Sequence, residues 1–305
     1  MTVARPEKGG GWTVDAPCPV GDVGTLIARL LEAARGGAVA LGVDFPVGLP
    51  RAYAALLPDA DFLAFLDGLA ARPSFFEVGA TLEAVSLGRP FYPARGVRGM
   101  TRLAHATAIG LRSAAELSRA CDRATAERPA GAPLFWTLGA NQSGKAAISA
   151  WRDLLLPTRA AGRSCLRIWP FEGPFRSLLA PGTVALAETY PAEAMRQLGL
   201  RLAGSKRRQT DREAAAPALL AALAARGARP SAALAEAIAG GFGADAAGED
   251  RFDSLLGLLC VIAVLDGARP DTTPDDPWIA RTEGWVLGQT AMPACGAAQG
   301  PGTRA

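Results

Sequence analysis

Residues 38–50 read AVALGVDFPVGLP: six apolar positions, then Asp44, then a turn built on two prolines and a glycine. A strand that is apolar on both faces must be covered on both faces. That demands a sheet with helices packed on either side. Just before it, VGTLIARLLEAARGG (23–37) places Leu26, Ile27, Leu30 and Leu31 at helical spacing and closes on glycines. A second apolar stretch, TVALAETYPAEAM (183–195), ends on Glu188 much as the first ends on Asp44. The expected class is therefore α/β.

The rest of the chain follows the same rules. SCLRIWPFEG (164–173) and GWTVDAPCPV (11–20) have strand character, and TEGWVLGQ (282–289) closes the ordered part. Residues 51 to about 180 read as a mostly helical insertion, with helices in PDADFLAFLDGLAARP (58–73), SAAELSRACDRATAERP (113–129) and AAISAWRDLL (146–155). GSKRRQTDREAAAPALLAALAARG (204–227) begins basic and turns into an alanine-rich helix. The organisation expected is one domain over 1–290 and a disordered tail over 291–305.

Composition narrows the chemistry. The chain has 305 residues, one histidine (His105) and five cysteines at 18, 121, 165, 260 and 295, without a CxxC pair. A zinc centre built from Cys and His is not expected on these grounds, nor is a disulfide framework. His105 has no nucleophile elbow to serve and reads as a packing or helix-surface residue. The tryptophans at 136, 151, 169, 278 and 285 read as core. A net charge of +3 gives no strongly basic surface, so a nucleic-acid partner would need a local patch. The N-terminus lacks a signal-peptide core, and the longest apolar run, LLGLLCVIAVL (255–265), is too short to cross a bilayer. A cytoplasmic protein with no membrane contact is expected.

Carboxylates and basic side chains are left to act. GEDRFDSLLGLLCVIAVLDG (248–267) opens an apolar helix with Asp250 and Asp253, three apart and so on one face. In α/β sheets, ligand crevices gather at the carboxyl ends of strands, where Asp44 and Glu188 stand. If the four converge, two such charges ~5 Å apart repel by roughly 3 kcal/mol at an effective dielectric near 20. A hard divalent cation, Mg²⁺ or Mn²⁺, relieves that repulsion, and paired metals suit phosphodiester cleavage. Each acid also has a plainer reading, with Asp250 a helix cap and Asp44 a turn former before Phe-Pro.

The ordered set GVDFPVGLP, LAETYPAEAM, GSKRRQTDREA, EDRFDSLLGLLCVIAVLDG and TEGWVLG resembles the domain of unknown function 429 family, over roughly residues 38–288. Members are predicted nucleases with a ribonuclease-H-like fold. The resemblance implies a ribonuclease-H-like mixed sheet flanked by helices. It assigns Asp44, Glu188, Asp250 and Asp253 to a catalytic, metal-binding acid set, and places Lys206, Arg207 and Arg212 near a phosphate-bearing nucleic acid. It also marks a departure. The family opens with a strand carrying an aspartate in a Gly-x-Asp context, whereas MTVARPEKGGGWTVDAP reads as the second half of the hairpin that follows, and Asp15 does not match the motif. A missing first strand is the expectation.

One further segment, GANQSGKA (139–146), nearly spells the phosphate-cradling loop GxxxxGK[ST], but Ala146 stands where a hydroxyl would hold Mg²⁺. Two readings remain: beside the acidic cluster, Asn141, Gln142 and Lys145 would contact a substrate phosphate, or they form a surface loop before a helix. The leading expectation is a metal-dependent nuclease. The alternatives are a non-catalytic binding or regulatory protein of the same fold, a nucleotide-binding hydrolase or kinase of P-loop type, and, further off, a small-molecule phosphotransferase on the actin-like fold.

Overall fold

A computed structural model describes residues 1–96, 100–139, 142–162 and 165–293. The class is α/β. Its strands are β1 (Ala4–Pro6), β2 (Trp12–Val14), β3 (Val39–Val43), β4 (Leu166–Ile168), β5 (Val184–Glu188) and β6 (Ala228–Pro230). They form two three-stranded sheets. In one, β1 and β2 are an antiparallel hairpin and β6 runs parallel to β2. In the other, β5 lies between β3 and β4, all parallel. VALAE is buried at every position, as a central strand with covered faces requires.

The helices, in chain order, are α1 (Leu26–Ala33), α2 (Arg51–Ala54), α3 (Phe62–Gly68), α4 (Arg102–Ile109), α5 (Ser143–Ala150), α6 (Leu156–Ala161), α7 (Pro191–Gln197), α8 (Gln209–Ala214), α9 (Ala216–Ala225), α10 (Ala232–Ala239) and α11 (Gly248–Leu265). Helix α11 is apolar almost all round and packs against both β3 and α7. Gly42 makes room for it: a Cβ there would sit 2.7 Å from Val261 Cγ2 and 2.9 Å from Thr189 Cγ2. No helix among the described residues is long and apolar enough to cross a membrane.

Several sequence expectations change. Residues 113–129 do not form a helix; they make two 3₁₀ turns, Ala114–Leu117 and Ala120–Asp122, joined by extended backbone at Ser118 and Arg119. The strand that the family resemblance implies at TEGWVLG does not form, since a π-turn over Ile279–Glu283 leads into irregular backbone. The stretch assigned to the insertion contributes β4 to the parallel sheet, so its helical part ends before that strand. Trp151, Trp169 and Trp285 are fully buried, while Trp278 is 41% exposed. His105 is buried, with Nε2 against the Pro90 carbonyl at 2.7 Å, which fits packing.

The turn after β3 is wedged into the protein. Trp151 Nε1 donates to Pro46 O at 2.8 Å, and Leu49 N donates to Thr282 O at 2.8 Å. Gly48 has φ +135°, and a Cβ there would lie 2.0 Å from Glu283 O. Backbone on backbone cannot yield cheaply. Gly48→Ala is therefore expected to cost about 2–4 kcal/mol through strain and displaced backbone, read as a lowered urea midpoint in equilibrium unfolding.

Candidate functional site

Three elements deliver the acids to one place. Asp44 follows β3, Glu188 ends β5 one position across the same parallel ladder, and Asp253 faces them from α11. Their charges act on one another: Asp253, Glu188 and Asp250 each push the Asp44 carboxyl up, while Lys206 pulls it down. Asp44 thus lies within electrostatic reach of the other three predicted acids and Lys206. The structure gives these groups different jobs.

Asp44 is exposed by accessible area, yet desolvation is the largest influence on it and lifts its pKa to about 7. Its carboxyl meets water on one side and is flanked by protein on the other. Asp253 is more enclosed. Burial lifts it to about 6 against the pull of Lys206, whose ammonium donates to its Oδ2. Its Oδ1 is buried without a hydrogen-bond partner. An orphaned buried carboxylate oxygen is uncommon and calls for an explanation. Asp250 is exposed in the first turn of α11 and does not cap the helix, which has no side-chain cap.

Glu188 is spent differently. It is 6% exposed and gripped by Arg119, whose Nη1 and Nη2 donate to its Oε2 and Oε1 at 2.6 and 2.7 Å. Val47 N also donates to Oε2, at 2.8 Å. Burial pushes this carboxyl up, and Arg119 with the Val47 amide opposes that push. Paired in this way, Glu188 has little left to offer a cation.

The basic residues divide as well. Lys206 bridges Asp253 and Glu249, the latter at 3.4 Å. Burial disfavours its charge, but Asp253, Glu249 and Asp44 outweigh that and raise its pKa. Arg207 is 62% exposed, with Glu249 3.8 Å from its Nε. Arg212 is buried and donates to the carbonyls of Gly241, Lys206 and Gly243 at 2.7, 2.5 and 2.6 Å. It braces the Lys206 loop and presents no open face to a phosphate. Lys145 is exposed, Gln142 donates to Gly139 O, and Asn141 lies outside the described residues. The segment before this loop turns at Leu134–Phe135 and makes only an isolated bridge at Trp136, so a strand feeding a phosphate cradle is not present there.

Sequence reasoning missed Arg119, Asp122, Glu249 and Tyr190. Tyr190 adjoins Glu188, is seated against the Arg128 guanidinium 5.4 Å from its ring, and has its phenol raised by burial within reach of the Asp44 and Lys206 charges. A signal existed only for Arg119 and Asp122, which stand three apart in an apolar context. A separate cavity of about 350 Å³ opens between Trp169–Pro174 and Asp271–Pro277. Its Asp271 and Asp276 are paired with Arg176 and Arg51, while Asp275 at its rim is exposed.

No three His, Cys, Asp or Glu side chains among the described residues are grouped to hold a metal ion by themselves. Mg²⁺ does not require that, since it commonly binds through one or two carboxylates and fills its shell with water and substrate oxygens. Comparison with protein-family models, with curated proteins and with solved structures gives no match.

The raised acids make stability pH-dependent in a definite sense. Their folded pKa values exceed the ordinary value near ~4, so the folded chain retains protons that the unfolded chain releases. Their stabilising contribution is complete below about pH 4 and is lost as pH rises through about 6 and 7. Urea midpoints at about pH 5 and about pH 8 should therefore fall more steeply for the wild type than for Asp44→Asn. An equal slope in both would remove Asp44 from the cause.

Proposed function

We propose that this chain is a metal-dependent phosphodiester hydrolase acting on nucleic acid, a ribonuclease-H-like member of the domain of unknown function 429 family. What supports the reading most is the Asp44–Asp253 pair. Two raised carboxylates, one after a parallel strand and one on α11, act on each other's charge, and the second has a buried oxygen with no partner.

The donor set fits Mg²⁺ or Mn²⁺. Asp44 and the free Oδ1 of Asp253 offer hard, anionic oxygens, and Asp250 lies at the rim. Once bound, such an ion supplies Lewis acidity and lowers the pKa of its water. The chain's own groups do the rest. Asp44, in contact with water, would hold the ion jointly with Asp253. Lys206 neutralises charge at the wall of the cleft, and the exposed Arg207 can meet a backbone phosphate. Tyr190 keeps its phenolic proton and can donate it in a hydrogen bond.

A second reading, a non-catalytic binding protein of the same fold, draws on one observation. Arg119 and Lys206 already compensate Glu188 and Asp253, leaving Asp44 as the least engaged acid inside the cleft.

Calorimetric titration of Mn²⁺ separates these readings from the start. Because the carboxyls must lose protons to bind, affinity should rise from about pH 6 to about pH 8. Asp253→Asn should weaken binding by about tenfold or more. Mg²⁺-dependent cleavage of a mixed panel of labelled DNA and RNA strands should fall at least ~100-fold in Asp44→Asn. A folded wild type with no Mn²⁺ binding would overturn the hydrolase. Binding of metal and strand without cleavage would select the second reading.

A further inference from the structure

We propose that Arg119 is a positioning residue of the acidic cleft. It withdraws Glu188 from service as a cation ligand and fixes it as the clamp on the turn that carries Asp44. The helical region between β3 and β4 thereby becomes part of the site rather than an appendage to it.

Hydrogen-bond capacity carries the inference. A guanidinium has five N–H donors in a rigid fork. Arg119 Nε donates to Asp122 Oδ2 at 2.9 Å and Nη2 to Asp122 Oδ1 at 2.9 Å, while Nη1 and Nη2 take the two oxygens of Glu188. Four donations therefore go to two carboxylates, both approached in forked geometry. Asp122 holds the fork from behind, and its Oδ2 also accepts the Arg119 amide at 3.1 Å. The side chain of Arg119 is 0% exposed, so no water substitutes for these partners.

On the other side, Glu188 Oε2 accepts both Arg119 Nη1 and the Val47 amide. Val47 lies three residues after Asp44. Through that amide the position of Glu188 sets the course of the Asp44–Gly48 turn. Three of the roughly four lone-pair sites of Glu188 are taken, so a cation would find at most one on Oε1, or would have to displace Arg119 and leave a buried guanidinium short of a partner, which is strongly unfavourable.

The 3₁₀ turn bearing Arg119 is itself anchored. Ala120 N donates to Glu283 Oε1 at 3.2 Å, and the same oxygen accepts Arg51 N at 3.2 Å. Glu283 also pairs with the Arg51 side chain at 2.6 Å. Segments around residues 51, 120 and 283 thus converge behind the one guanidinium that faces Glu188.

Amide hydrogen exchange at Val47 tests this directly, with the Val184 amide, which donates to Cys165 O at 2.8 Å, as internal control. In Arg119→Gln, exchange at Val47 should accelerate about tenfold or more, the scale of losing a hydrogen bond to a fixed charge, while Val184 stays protected. Arg119→Lys should recover part of that protection and serves as the test variant if Arg119→Gln does not fold. Unchanged Val47 exchange in either folded variant overturns the proposal.

Mn²⁺ titration gives the second readout, and this part alone rests on the cleft being a cation site. Glu188→Gln keeps an oxygen for the Val47 amide and should change affinity by less than about threefold, against about tenfold or more for Asp253→Asn. Equal losses in the two variants would make Glu188 a ligand and overturn the proposal. A wild type that binds no Mn²⁺ would sink the hydrolase reading, while Val47 exchange would still decide the role of Arg119.

Discussion

The carboxylate of Glu188 holds the structure of this site together. It ends the central strand of the parallel sheet, and a central strand can finish on a buried acid only if that acid is compensated. Arg119 supplies the charge, and the Val47 amide supplies a directional bond. Each arrives from a different part of the chain, so one side chain joins the sheet, the turn after β3 and the 3₁₀ segment around residue 120. Removing a single partner of such a pair typically costs about 3–5 kcal/mol.

The same compensation sorts the acids. Left alone, four carboxylates at the ends of two strands and a helix would repel one another strongly. Glu188 escapes through Arg119, and Asp253 half-escapes through Lys206. Asp44 has no such pairing and responds by holding its proton to about pH 7. Charge that is unspent and reachable from water is what a ligand can use. This is why the site around Asp44 and Asp253, rather than the cavity beside Trp169, is the candidate site.

Support for the cleft is layered. Arg212 is buried behind it, bracing through three carbonyls the loop that carries Lys206. Arg128 lies behind Tyr190, pairs with the buried Glu193 and has its ring-stacked guanidinium held in turn by Gln289. Side chains held from behind keep their geometry when a ligand arrives, and little ordering cost remains to be met on binding.

Local sequence determined the apolar strands β3 and β5, the acids that end them, and helix α11 with Asp253 on its inward face. These are short-range matters of period and polarity, readable wherever a run of side chains must be buried on known faces. The α/β class followed from them. Tertiary structure alone decided how the charges are paired. Arg119 lies 69 residues from Glu188, in a stretch whose helical spacing conceals two 3₁₀ turns. Lys206 and Arg212 look alike on the page as basic residues opening a helix, yet one lines the cleft and the other is buried beneath it. Periodicity assigns a residue to a face of its own element. Which partner waits on that face depends on how distant elements pack, and no local pattern records it.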